Sequence, residues 1–168
     1  MTGPGPSPDA EVAIEVLSRL AARGETLAVA ESCTGGGLGS ILTAAPGASS
    51  AFIGGVIAYS DSVKVALLGV GATTLAVHGA VSEPCAREMA EGVRDRLGAD
   101  WGISITGIAG PDGGSPAKPV GTVWIGLSGP GVLSGESFYF PGDREQIRSS
   151  AARTALGLLS RSVESQDG

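Results

Sequence analysis

The segment from Pro46 to Lys64 sets Ser49, Ser50, Tyr59 and Lys64 around one short apolar run, and the chain has a single histidine, His78, for base chemistry elsewhere. Ser49 and Ser50 follow Pro46-Gly47, at a turn where a hydroxyl can stand beside backbone N–H groups able to stabilise an oxyanion. Lys64 reaches the same place if the chain reverses after the run. A serine needs a base to take its proton, and a lysine serves as that base only if burial or a nearby cation lowers its pKa toward neutrality. The chemistry therefore requires Lys64 to be partly buried. The plain alternative is a turn-capping Ser49 and a solvated Lys64.

Two glycine loops offer ligand contacts. Ser32-Cys33-Thr34-Gly35-Gly36-Gly37 precedes a helical run, where free N–H groups and the helix dipole favour a phosphate or carboxylate; the alternative is a tight turn. It is neither a Walker loop nor a full dinucleotide fingerprint. Thr106-Gly107-Ile108-Ala109-Gly110-Pro111 ends a strand, the position where open α/β sheets place ligands. Arg144 and Arg148 supply guanidinium groups for an anion or form a solvated helix face. Cys33 at a helix N-terminus is expected to have a lowered thiol pKa, which keeps a cysteine nucleophile as a further option. One histidine in a Val-His-Gly turn and two separated cysteines do not make a zinc site.

The elements that must position these residues follow from capping and periodicity. Ser7-Pro8 starts a helix over 8–23, and residues 26–30 form a strand that enters the first glycine loop and a helix ending at Ala45-Pro46-Gly47. Residues 51–59 read as a strand with a bulge or close backbone approach at Gly54-Gly55, and Ser60 caps the helix that carries Lys64. Ser82-Glu83-Pro84 opens a helix that Gly98 ends. Strands over 101–106, 121–128 and 133–140 follow, the last two a hairpin, and Gly142-Asp143 opens a final helix. This alternation predicts a three-layer α/β/α fold with a mixed sheet.

At 168 residues and 42% hydrophobic content the chain suits one domain over 1–168, its core about 8–161, with loose ends at Met1 to Pro6 and Glu164 to Gly168. A net charge of −6 with scattered arginines argues against nucleic acid, and no long apolar stretch or signal segment points to a membrane. Cysteine usage fits a reduced, cytoplasmic protein.

Six motifs in order, Glu31-Ser32-Cys33-Thr34-Gly35-Gly36, Pro46-Gly47-Ala48-Ser49, Gly55-Val56-Ile57-Ala58-Tyr59-Ser60 with Lys64, Gly79-Ala80-Val81-Ser82-Glu83, Thr106 to Gly114 and Lys118 to Val123, make the chain from about Glu11 to Arg161 resemble the CinA C-terminal domain family. The larger CinA proteins carry a further N-terminal domain, which this chain is expected to lack. Stand-alone members are nicotinamide-nucleotide amidohydrolases, so the resemblance implies deamidation of nicotinamide mononucleotide to nicotinate mononucleotide and ammonia through an acyl-enzyme. It implies Ser49 as nucleophile, in the Pro-Gly-Ala-Ser register that favours it over Ser50, and Lys64 as the base that later protonates departing ammonia. The implied substrate-binding positions are Ser32, Thr34, Gly35, Gly36, Tyr59, Thr106, Gly107 and Arg144, with Arg148 in reserve. No metal and no organic cofactor is implied. The implied partners are a small nucleotide substrate and further copies of the chain in a homo-oligomer. The reading from another class is a non-catalytic nucleotide-binding or regulatory module acting with a CinA-type or DNA-repair partner.

Overall fold

The computed structural model describes residues 5–168, so the part of the expected loose N-terminus before Gly5 lies outside the described residues. Helix α1 (Pro8–Ala22) begins where Ser7 Oγ accepts from the Ala10 N–H, and its buried Ala13, Val16, Leu17 and Leu20 recur at helical spacing. Strand β1 (Leu27–Glu31) is buried along its whole length and runs through the first glycine loop into α2 (Gly37–Ala44). A single turn of 3-10 helix (Ala48–Ser50) leads into β2 (Phe52–Ile57), and Ser60 caps α3 (Asp61–Leu68) by accepting from the Val63 N–H. Then come α4 (Ala72–His78), α5 (Glu83–Leu97), β3 (Trp101–Gly107), the hairpin β4 (Thr122–Gly129) and β5 (Val132–Tyr139), and the long α6 (Arg144–Glu164).

The five strands form one mixed sheet in the order β2-β1-β3-β4-β5, with β2, β1 and β3 parallel and β3, β4 and β5 antiparallel. One face carries α1, α2 and α6 over a cluster including Leu17, Leu38, Ile103, Ile125 and Leu159, and the other carries α3 and α5 over Ala28, Ala30, Leu68, Met89 and Val93. The expected three layers are therefore present. The parallel half matters for function, because the C-terminal ends of β1, β2 and β3 lie together at one edge of the sheet.

Both readings of Gly54-Gly55 hold. The register slips so that Leu27 pairs with Phe52 and Ala28 with Gly54, and a Cβ on Gly55 would stand 2.6 Å from the Val29 carbonyl oxygen. The C-terminus differs from expectation: Asp167 accepts from Arg19 at 2.6 Å and pairs with Arg23, while Gln166 donates to the Pro130 carbonyl at 2.7 Å, so these contacts hold the tail against α1 and the hairpin turn.

α3 lies against α5 nearly backbone to backbone. A Cβ on Gly92 would stand 1.8 Å from the Leu68 carbonyl oxygen. Gly92→Ala is expected to cost about 3 kcal/mol by overpacking, measured by denaturant unfolding. Wild-type stability in that variant would mean the two helices separate freely.

Candidate active site

Lys64 is the unusual residue of the interior: it is 1% exposed and among the largest fully buried side chains. It sits in the first turn of α3, which the Ser60 cap starts just beyond the end of β2. Its Nζ donates to three oxygens, Ser32 Oγ at 3.0 Å, Ala58 O at 2.8 Å and Tyr59 O at 3.0 Å. Desolvation by burial lowers its pKa below the ordinary 10.5, opposed by the smaller influences of Cys85, Asp61, Cys33 and Tyr59. The burial that the sequence required of Lys64 is thus met.

The serine beside Lys64 is Ser32, not Ser49. Ser49 is exposed, on the 3-10 turn before β2, whereas Lys64 follows the opposite end of that strand. Six extended residues at roughly 3.3 Å each separate the two ends. The chain does not reverse between them, and the expected Ser49–Lys64 pair is not formed within the chain. Ser50 is also turned aside, its hydroxyl donating to the Gly47 carbonyl. Ser32 follows the last residue of β1 directly, is 7% exposed, and has its own N–H anchored on the Ile105 carbonyl at 2.9 Å.

The N-terminus of α2, expected to receive a ligand anion, is filled by the chain itself. Glu31 is 1% exposed, and its carboxylate accepts from the Thr34 hydroxyl at 2.6 Å and from the Leu38 and Gly39 N–H groups at 2.9 Å. A buried carboxylate is satisfied by donors at the positive end of a helix, and those donors are then unavailable to a ligand. Thr34, Gly35 and Gly36 accordingly shape the loop and do not line the cavity at Lys64. Glu31 was not singled out from the sequence, although an acidic residue shortly before an uncapped glycine-rich helix start was the available signal.

A cavity of about 170 Å³ opens beside the pair, lined among others by Ser32, Cys33, Tyr59, Asp61, Thr106 and Arg144. Five of the eight expected binding residues meet there: Ser32, Tyr59, Thr106, Gly107 and Arg144. Thr106 is fixed by donating to the Ala80 carbonyl at 2.9 Å. Arg144, at the start of α6, donates to the Gly110 carbonyl at 2.6 Å and to the Tyr59 hydroxyl at 3.2 Å. Its cap explains its placement: Asp143 accepts from the Gln146 N–H while Gln146 accepts from the Asp143 N–H. Arg148, one turn later, faces elsewhere, its guanidinium donating to the Cys33 and Thr34 carbonyls.

Cys33 does not have the lowered thiol pKa expected of it. Burial pushes it up to about 11, outweighing the opposing influence of Arg148. Among the described residues, no group of three or more His, Cys, Asp and Glu side chains is placed to share a metal ion, and no helix is long and apolar enough to cross a membrane.

Lys64 binds its proton less tightly when folded than when unfolded, so between its lowered folded pKa and 10.5 the unfolded chain holds more protons. Its contribution to stability therefore increases with pH across that window. Melting temperatures of wild type and Lys64→Met, compared over a pH series, are expected to shift in favour of wild type as pH rises; a constant difference would contradict the lowered pKa.

A family model described as the CinA C-terminal domain matches residues 9–163. A CinA-like protein of Anaeromyxobacter sp. (strain Fw109-5) is 57% identical over 144 residues, covering 86% of this chain and 35% of that protein. One from Gemmatimonas aurantiaca is 55% identical over 160 residues, covering 95% and 37%. The chain thus spans little more than a third of the curated relatives it matches. Among solved structures, a competence-damaged protein (CinA) superfamily protein from Klebsiella pneumoniae 700603 superposes with a TM-score of 0.89 at 40% identity, covering 94% of this chain and 99% of that one. The competence/damage inducible protein CihA from Agrobacterium tumefaciens gives 0.90 at 34% identity, covering 97% and 99%.

Proposed function

The chain belongs to the CinA C-terminal domain family, and on that premise we propose that it is a serine–lysine amidohydrolase converting nicotinamide mononucleotide and water to nicotinate mononucleotide and ammonia, with Ser32 as nucleophile. The observation that carries this reading is the 3.0 Å contact between Lys64 Nζ and Ser32 Oγ in a desolvated setting.

The partners of Lys64 direct its basicity. Two of its three oxygens, on Ala58 and Tyr59, are carbonyls and only accept. A neutral lysine keeps two N–H bonds to them, and its lone pair then faces the one partner that carries a proton, the Ser32 hydroxyl. Lys64 takes that proton as Ser32 Oγ attacks the carboxamide carbon, and returns it to nitrogen as the C–N bond breaks and ammonia leaves. Water then enters, gives a proton to Lys64 and attacks the ester. Collapse releases the carboxylate and restores the Ser32 hydroxyl. In this reading Arg144, which donates to the Tyr59 hydroxyl, holds the phosphate, and Thr106 and Gly107 bound the wall against which the ring lies.

A homo-oligomer and a cytoplasmic setting belong to the same reading. The outer strand β2 supports the first, since it leaves Ile53 and Ile57 about half exposed; light scattering of the purified chain tests it. For the activity itself, ammonia release is measured with purified protein and nicotinamide mononucleotide. Saturable nucleotide binding without ammonia would replace the hydrolase by the non-catalytic nucleotide-binding module.

A further inference from the structure

We infer that the cleft beside Trp124 and Lys118 binds a nucleoside monophosphate, its base on the indole and its phosphate at the ammonium, in a site separate from the cavity at Lys64. The cleft follows from where α5 begins. Val123 and Ile125 belong to the core under α6, so Trp124 between them faces the other side of the sheet, the side of α5. That helix closes over Gly126, where a Cβ would stand 2.1 Å from the Ala86 carbonyl oxygen. It starts only at Glu83, and Trp124, two residues nearer the start of β4, is left partly covered. An opening of about 530 Å³ remains there, bordered by Val77, His78 and Lys118. Its volume is that of a small-ligand site.

Each half of such a ligand has a partner. The two tryptophans differ: Trp101 is fully buried and its indole N–H donates to Glu25 at 2.8 Å, whereas no acceptor among the described residues takes the Trp124 N–H. Val77, 69% exposed, adds apolar surface to the same cleft. Any nucleobase stacks on an indole, so the site selects a nucleotide without selecting one base. Lys118 Nζ donates to the His78 carbonyl at 2.7 Å and keeps its other N–H bonds for a further acceptor. Among the described residues it enters no ion pair, while the carboxylate at the cleft, Glu83, pairs with Arg87 at 3.5 Å. The ammonium is therefore the open charge for a phosphate. Val81 lines both this cleft and the catalytic cavity, and Arg144 lines the cavity alone. The two sites adjoin, and the inference does not depend on the amidohydrolase reading.

The test titrates wild type with adenosine 5′-monophosphate, adenosine and inorganic phosphate. Because Trp101 is fully buried, quenching of tryptophan fluorescence reports on Trp124, and calorimetry gives the affinity where the indole is replaced. Saturable quenching by the monophosphate is expected, with adenosine and phosphate each binding at least about tenfold more weakly, since each lacks one of the two contacts. Trp124→Leu and Lys118→Met are each expected to lose about tenfold or more in affinity for the monophosphate, the scale of one base–aromatic stack or one bond to a charged group. Arg144→Gln is expected to leave the quenching curve of wild type unchanged. Absence of saturable binding overturns the inference, as does phosphate alone binding as tightly as the nucleotide. So does an affinity that falls in Arg144→Gln and survives in Trp124→Leu, which would put the nucleotide in the catalytic cavity. Melting curves show whether each variant folds; if Trp124→Leu or Lys118→Met does not, the three wild-type titrations and Arg144→Gln decide by the same criteria. Ammonia release enters none of these readouts, so failure here is distinguishable from failure of the hydrolase reading.

Discussion

Ser32→Ala is expected to abolish ammonia release, a fall of about 10⁴-fold or more as for other serine hydrolases stripped of the nucleophile, while Ser49→Ala retains the wild-type rate. The contrast follows from position. Ser32 Oγ is the one protic partner of the buried Lys64 Nζ, whereas Ser49 is solvent-exposed beyond the other end of β2. The Ser32 variant should fold, because it removes one of three bonds to Nζ, a loss of about 1 kcal/mol, and leaves the Ile105 anchor of its backbone untouched. Ammonia assays and melting curves on the two variants side by side check both halves. An inactive Ser49→Ala beside an active Ser32→Ala would restore Ser49 as the nucleophile.

Substitution of Lys64 should have a comparable effect on rate with a different signature. Lys64→Met removes the base, and Lys64→Arg keeps a cation that does not give up its proton at working pH. Both are expected to lose turnover by at least about 10³-fold, the range of a general base that also activates the nucleophile. Appreciable activity in Lys64→Arg would show that positive charge at this place, rather than proton transfer, is what the reaction needs. Stability should change little in Lys64→Met, within about 2 kcal/mol: relief from burying an ammonium opposes the loss of a donor to the Ala58 and Tyr59 carbonyls.

The architecture was legible because its signals are local. Ser7, Ser82 and Asp143 each accept the N–H of the residue three positions on, at the helix starts their sequence predicted, and the glycine pair in β2 marks the register slip it suggested. The burial of Lys64 was inferred as a chemical requirement, and the packing of α3 against α5 supplies it. The identity of its serine was not legible from proximity along the chain. Ser49 lies nearer in sequence, but a parallel pairing of β1 with β2 joins like ends, which brings the residue after β1 to the start of α3 and leaves the residue before β2 far away. Two facts read together would have found it: the strand preceding Ser32 is apolar up to its last residue, Glu31, and ligands in open α/β sheets gather at the carboxyl ends of strands. The role of Glu31 was hidden for a related reason. A helix N-terminus shows its need for an anion in sequence, but not whether the donor of that anion is a ligand or the end of its own strand.

That internal carboxylate bears on how the protein responds to an empty site. Because Glu31 already neutralises the start of α2, the loop behind Ser32 requires no visitor to hold its shape, and the Leu38 and Gly39 amides should exchange with deuterium slowly even in ligand-free protein. Catalytic readiness would then be inherited from folding rather than induced by each arriving molecule.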